Sequence, residues 1–218
     1  MKIAIDGPAG AGKSTVARRL ASELGFTYID TGAMYRALTL KALNEGIDLN
    51  DSSLLEQLAD TTDIRFETHF DSQIVISEGK DVTSQIRAPQ VSEAVSIVSA
   101  HPGVRRVMVG IQQTMAQTCS VVMDGRDIGE YVLPDADYKF YLTASIEERV
   151  RRRAQEMEMR GYQADLNRIR EEIAKRDQLD SQRPVGALRI LPDHLALDTS
   201  NMTEDEVLQA IQTRIRGA

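Results

Sequence analysis

The first fifteen residues, Met1-Lys2-Ile3-Ala4-Ile5-Asp6-Gly7-Pro8-Ala9-Gly10-Ala11-Gly12-Lys13-Ser14-Thr15, constrain the fold of this chain more than any other stretch. The apolar run Ile3-Ala4-Ile5 reads as a buried-type strand. It ends in a glycine-rich turn, and an amphipathic run over residues 16–24 follows at once. Between the two, Gly7, Gly12, Lys13 and Ser14 fit G-x-x-x-x-G-K-[ST], the phosphate-binding P-loop pattern. Glycines lack the Cβ that would keep backbone N–H groups away from a phosphate. The positive end of the following helix faces the same anion. Lys13 is a point charge that can reach β- and γ-phosphates, and Ser14 can offer its hydroxyl to Mg²⁺. The stretch Gly7, Pro8, Ala9, Gly10, Ala11, Gly12, Lys13, Ser14 and Thr15 is therefore the expected nucleoside triphosphate site, with Ser14 on the metal side.

The rest of the chain continues the pattern that the loop begins. Val16, Ala17, Leu20, Ala21 and Leu24 share one face of a helix that Gly25 ends. Phe26-Thr27-Tyr28-Ile29 is a short strand, and Asp30-Thr31-Gly32 offers an N-cap to a second amphipathic helix over residues 34–44. This β-loop-α-β-α order opens a parallel sheet with crossover helices. Next come a helix over residues 52–61, alternating strands at 64–67 and 74–76 around the turn Asp71-Ser72-Gln73, and helical periodicity over 84–100 interrupted at Pro89. Residues 60–95 are expected to form a small α+β insertion, with 1–59 and 96–218 as the core. Beyond His101-Pro102-Gly103 the chain reads as a helix over 104–118, the strand Ser120-Val121-Val122-Met123-Asp124, the turn Gly125-Arg126-Asp127 and the strand Lys139-Phe140-Tyr141-Leu142. A capping box, Ser145-Ile146-Glu147-Glu148, opens a basic helix, and a helix over 166–179, a strand at 195–198 and a helix capped at Thr203 complete it. Five strand signals alternating with helices predict an α/β fold: a five-stranded parallel sheet covered on both faces.

Charge narrows the partners. With 26 Lys and Arg against 33 Asp and Glu the net charge is −7, a poor match to a nucleic-acid backbone. The dense cluster Arg149, Arg151, Arg152 and Arg153 still allows a local anion site. The single cysteine, Cys119, excludes an intrachain disulfide and is expected in the core. His69, His101 and His194 are scattered without metal-ligand spacing. The first strand starts at residue 2, leaving no room for a signal peptide, and no apolar stretch approaches membrane-spanning length. A cytoplasmic protein that does not engage membranes is expected, with a monomer as the default because nothing apolar and repetitive demands a dimer.

A P-loop does not say where the phosphoryl group goes. A GTPase-type switch needs a guanine-reading N-K-x-D segment, and the chain has none. Arg36, Arg126, Arg176 and Arg183 instead stand in loop-like contexts beside small or acidic residues, suited to bidentate phosphate recognition. Several adjoin strand ends, where ligands bind in a parallel sheet. The stretches Asp30-Thr31-Gly32-Ala33-Met34-Tyr35-Arg36, Asp124-Gly125-Arg126-Asp127, Arg176-Asp177-Gln178-Leu179-Asp180-Ser181-Gln182-Arg183 and the P-loop segment from Ile5 to Lys13 resemble the signatures of bacterial cytidylate kinases, over essentially the whole chain.

The resemblance implies transfer of the ATP γ-phosphoryl group to CMP or dCMP with Mg²⁺, an acceptor-binding role for 60–95 and an arginine-rich lid at about 149–165. It implies that Thr31, Tyr35, Arg36, Arg126 and Arg183 hold the acceptor phosphate, that Ser96, Arg105 and Asp127 read the cytosine ring, and that Asp180 takes ribose hydroxyls. Arg149, Arg153 and Arg176 would close over the phosphates, with Lys13, Arg126, Arg176 and Arg183 as the catalytic cations. Thr31 stands where relatives often have Ser, which keeps the hydroxyl, and Ser14 where some have Gly. The base chemistry agrees. Cytosine shows an amino donor beside N3, where uracil shows a carbonyl and an N–H. Asp127 can accept from the amino group and Arg105 can donate to N3 or O2, so CMP should be preferred over UMP. Asp30 and Asp124 suit either a metal-bound water or a cap and turn. The rival readings are a kinase for UMP or shikimate, and a nucleotide-dependent switch without turnover.

Overall fold

Strand β1 (Lys2–Asp6) lies in the middle of a five-stranded sheet. Its neighbours are β6 (Val121–Asp124) and β7 (Tyr138–Thr143), both parallel to it, with Ile5 opposite Asp124 on one side and Phe140 on the other. β2 (Thr27–Asp30) and β8 (Leu195–Asp198) lie at the edges, giving the order β2-β6-β1-β7-β8. A central parallel strand is covered on both faces, which is why Ile3-Ala4-Ile5 reads as a continuous apolar run. The computed structural model describes residues 1–69, 72–159 and 161–217. Asp71 of the expected turn and Arg160 of the expected lid lie outside them.

The chain divides into two compact units, one made of Met1–Tyr28 and Thr118–Ala218 and the other of Ile29–Gln117. In the first, helix α1 (Lys13–Leu24) turns Val16, Ala17, Leu20 and Ala21 inward against Ile3, Ile5, Val122, Phe140 and Leu142. Gly25 ends it in a left-handed conformation, its N–H returned to Ala21 and Ser22 carbonyls. A π-helical turn (Ile128–Val132) follows β6, and helices α6 (Ile146–Met159) and α7 (Leu166–Ser181) pack through Val150, Ala154, Ile169 and Ile173. Helix α8 (Glu204–Arg216) is capped at Thr203 as expected, by a complete capping box with Glu206.

The box expected at Ser145 is half made. Glu148 N–H donates to Ser145 Oγ at 3.2 Å, but Ser145 N–H donates to Ser200 Oγ at 2.8 Å. The Glu148 carboxylate is taken by Arg151 and Arg152, which hold it down to about 2, the Arg151 bond contributing most. Two cations one turn on compete better for a carboxylate than one backbone N–H does. Cys119 is exposed, contrary to the core position expected from its apolar neighbours: it lies just before β6, outside the buried run.

In the second unit Asp30 caps α2 (Thr31–Asn44), accepting from Ala33 N at 2.8 Å. α3 (Ser52–Thr61), the antiparallel sheet β3 (Ile64–His69), β4 (Ser72–Ser77) and β5 (Lys80–Asp81), α4 (Pro89–Val98) and α5 (Pro102–Met115) complete it. Pro89 opens α4 at its first turn, after a 3₁₀ turn (Gln85–Arg87), so the helix expected to be interrupted there begins there. This unit is wider than 60–95, because Met34 and Leu38 of α2 and Val104 and Met108 of α5 share one core with Ile64, Val75 and Ile86. An amphipathic pattern shows that a helix has a buried face, not which core it meets.

Candidate active site

The loop from Gly7 to Gly12 has a geometry that only its glycines permit. Gly7 has φ +145°, and a Cβ there would lie 1.9 Å from the Leu142 carbonyl oxygen, so the chain passes flush against β7. Gly12, at φ +84°, takes the left-handed turn into α1, which leaves the first N–H groups of that helix without partners inside it. Loop carbonyls are held by donors from elsewhere in the first unit: Ala9 O by Arg149 Nη1 at 3.2 Å and Ala11 O by Thr199 Oγ1 at 3.3 Å. Lys13 Nζ donates to Pro8 O at 2.7 Å. Burial, and then Arg126, push its ammonium down from 10.5 to about 7, with Arg176 adding to the push and Asp124 and Asp6 opposing it.

At the end of β6, Asp124 accepts from Ser14 Oγ at 2.7 Å and from Tyr28 Oη at 2.8 Å. A hydroxyl and a carboxylate side by side are hard oxygen donors that suit Mg²⁺. Among the described residues no group of three or more His, Cys, Asp or Glu gathers.

Asp180, on α7, is 0% exposed and sits among three arginines. Arg126 Nε donates to it at 2.7 Å, Arg183 pairs with its other oxygen, and Arg176 Nε lies 3.9 Å away. Burial disfavours its charge, but Arg126, Arg183 and Arg176 outweigh burial and hold the carboxyl below its ordinary value. For Arg126, burial is likewise outweighed by Asp180, with Asp124 and Asp177 adding to it, and the net shift is upward. Lys13 feels both Arg126 and Arg176, so three of the four expected catalytic cations act on one another and the fourth, Arg183, joins them through Asp180. Arg149 is anchored at Ala144 O, Ala9 O and the Asp177 carboxylate, bracing the loop, whereas Arg153 pairs with Glu156 along its own helix.

In the second unit Arg36 pairs with the capping residue Asp30 at 2.9 Å, and Thr31 is buried at the start of α2. The Arg105 guanidinium lies 5.6 Å from the Tyr35 ring centroid and donates to Ser99 O at 3.3 Å, with only 2% of the residue exposed. Ser96 is 4% exposed, and its Oγ has no hydrogen-bond partner among the described residues. A buried hydroxyl left unmet is costly in a plain core and is what a ligand-reading site leaves before its ligand arrives. Asp127 is buried in the first unit, at the N-cap of the π-helical turn.

A family model described as cytidylate kinase matches residues 3–217. The chain belongs to the cytidylate kinase family. It is 51% identical over 216 residues to the cytidylate kinase of Caldanaerobacter subterraneus subsp. tengcongensis, covering 99% of this chain and 95% of that one. It is 51% identical over 211 residues to that of Geobacillus kaustophilus, covering 97% and 94%. Among solved structures, a shikimate kinase from Bacteroides thetaiotaomicron shares the fold, with a TM-score of 0.50 at 12% identity over 99% of this chain and 98% of that one. An uncharacterized protein from Eubacterium ventriosum has a TM-score of 0.54 at 14% identity, covering 100% and 99%.

Membership of the cytidylate kinase family fits the parallel sheet with its P-loop at the end of β1. Among the described residues no helix is long and apolar enough to cross a membrane. Sequence reasoning missed Thr199 and Asp177, and it marked Arg152 only as part of a basic cluster open to an anion. Arg152 donates to Thr199 Oγ1 at 3.1 Å and to its carbonyl at 2.7 Å, so it supports the residue that supports the loop. No local pattern marks these contacts, because the partners lie 28 residues apart for Arg149 and Asp177 and 47 apart for Arg152 and Thr199.

Proposed function

We propose that this protein transfers the γ-phosphoryl group of ATP to CMP and dCMP, giving CDP and dCDP. The single observation that carries this reading is the gathering of Arg126, Arg176 and Arg183 on Asp180, with Lys13 of the phosphate loop feeling Arg126 and Arg176. Donor and acceptor phosphates repel each other, and a loose phosphoryl transfer asks mainly for in-line positioning and charge neutralisation. Lys13 would leave the Pro8 carbonyl for the β- and γ-phosphates. Arg126 and Arg183, with Thr31, Tyr35 and Arg36, would hold the acceptor's α-phosphate. Arg176 would neutralise charge building up during transfer, and the lid at 149–165, with Arg149 and Arg153, would exclude water. Asp180 would take a ribose hydroxyl while holding its arginines. Ser14 and Asp124 would hold Mg²⁺, which when bound neutralises the β- and γ-phosphate charge.

Residues 60–95 fall within the second unit, and we assign acceptor recognition to that unit through Ser96 and Arg105; Asp127 is a further proposed reader of the cytosine ring. The unmet Ser96 hydroxyl and the Arg105 guanidinium against Tyr35 support this. We further read it as a cytoplasmic monomer that does not bind nucleic acid, the last point supported by the acidic charge balance. A coupled ADP-release assay with ATP and Mg²⁺ tests the reading. CMP and dCMP should turn over fast, UMP about 10²-fold or more slower in kcat/KM, and AMP or no acceptor negligibly. Comparable rates for UMP would remove the proposed base site, and acceptor-independent hydrolysis would point to a switch.

Arg183→Ala gives a second check. It should cost several kcal/mol of transition-state stabilisation, read as a fall in kcat, while ATP affinity measured without acceptor stays nearly intact. Loss of ATP affinity alone would contradict an acceptor-side role.

A further inference from the structure

Asp6 is the last residue of β1 and immediately precedes the phosphate loop, yet the nucleotide chemistry described above does not use it. It is 0% exposed. Its two carboxylate oxygens accept from the N–H groups of Ile128 and Gly129, each at 2.8 Å. These are the first two residues of the π-helical turn whose N-cap is Asp127. An aspartate at an N-cap ordinarily accepts from the first N–H groups of its own helix. Asp127 makes no such cap bond; Asp6, 122 residues away for Ile128, does that work. The same joint is held by Gly125 N–H on Ile5 O at 3.0 Å. Behind it His194, whose side chain is 1% exposed, accepts from Leu191 N–H through Nδ1 at 3.1 Å, which leaves the proton on Nε2, 3.5 Å from Asp6 Oδ2. Gly129 lets that imidazole close in, since a Cβ there would lie 2.9 Å from His194 Nε2.

We propose that Asp6 is a positioning residue for base selection: by capping the Ile128 turn in place of Asp127, it fixes the Asp127 carboxylate relative to the phosphate loop. This rests on the reading of Asp127 as a reader of the cytosine amino group. Each end of the carboxylate has one N–H to hold, so both oxygens are needed. Asn at this position keeps one acceptor and turns an NH₂ donor towards the other N–H, so the turn is released on one side at nearly unchanged volume. Misplacing a substrate-reading group by about 1 Å can cost 10²-fold.

The test is the ratio of kcat/KM for CMP to kcat/KM for UMP in the full-length enzyme. Asp6 also faces Lys13, so absolute rates in Asp6→Asn fall for two reasons, but effects at the phosphate loop cancel in the ratio. A purely structural role would lower both rates together. Asp6→Asn should lower the ratio about 10- to 100-fold. Asp127→Ala should collapse it, and the double variant should discriminate no worse than Asp127→Ala alone. If Asp6→Asn shows no cooperative melt, Gly129→Ala, whose added Cβ pushes against His194, should lower the ratio in the same direction. A ratio within about twofold of the unaltered enzyme in the folded Asp6→Asn, or in Gly129→Ala where that stands in for it, while Asp127→Ala collapses it, overturns the positioning role. A ratio unchanged in Asp127→Ala removes the base-reading premise and the proposal with it.

Discussion

Asp180→Ala should destabilise the protein by about 3–5 kcal/mol, the cost of leaving buried charges uncompensated. Arg126, Arg183 and Arg176 would then face one another without the carboxylate that now holds them. For a chain of this size, that corresponds to a fall in Tm of about 10 °C. Glu172→Ala is the control. It breaks the exposed pair with Arg168, 2.8 Å apart on the surface of α7, and should change stability by less than about 1 kcal/mol. Pyrophosphate should restore part of what Asp180→Ala loses, because a bound anion supplies the missing negative charge. The acid limb should change as well. The Asp180 carboxyl is held below its ordinary 3.8, so its contribution is fully present above that value and is lost as pH falls through the folded one. Thermal melts from pH 7 down to pH 3 should therefore fall more steeply for the unaltered protein than for Asp180→Ala. Equal melts for the two proteins at pH 7 would mean that the arginines do not depend on Asp180.

Lys13 should make stability rise with pH. Its ammonium titrates at about 7 in the folded protein against 10.5 ordinarily, so between those values the unfolded chain binds more protons at this group. Stability rises wherever the unfolded state binds more protons, with a limit of about 1.4 kcal/mol per pH unit for one group. From pH 7.5 to 9, below the range where Tyr141 titrates, the unaltered protein should gain about 1 kcal/mol per pH unit relative to Lys13→Met. The same group should take up a proton when nucleotide binds. A triphosphate beside Nζ favours the charged amine, so calorimetry at pH 8 in buffers of different ionisation enthalpy should show uptake of a large fraction of a proton. Lys13→Met should take up none, and its turnover should fall by about 10²-fold or more. Identical pH slopes and no proton uptake would mean that Lys13 stays protonated at its ordinary value, and that the Pro8 carbonyl and the neighbouring arginines do not govern it.

The P-loop was legible because its chemistry is contiguous. Strand, glycine turn, lysine and helix follow one another within fifteen residues, and the structure places each as the pattern demands. The five strands and their helices were legible for a similar reason, since periods of two and 3.6 are local properties. Asp180 was not legible in full. The sequence marks it as a ribose contact by resemblance, but its role as counter-charge to three arginines depends on Arg126, 54 residues away. The spacing predicts Glu148 as half of a capping box, and the structure gives its carboxylate to two arginines. The apolar neighbours of Cys119 predict a core position, but burial depends on where the strand begins, and β6 begins at Val121. That residues 29–117 share one compact unit was not legible, because amphipathic helices do not name their partners.

The sequence alone determined the α/β class, the nucleotide loop and the family, because each rests on short stretches whose backbone or side-chain chemistry is sufficient in itself. Only the tertiary structure decided how the charges are matched: that Asp180 gathers Arg126, Arg176 and Arg183, that Arg149 and Thr199 hold the loop carbonyls, and that Asp6 caps the turn after Asp127. The reason is physical. Coulomb energies and hydrogen bonds act over a few ångströms in space whatever the separation along the chain, so the partner of a buried charge is fixed by packing and not by spacing.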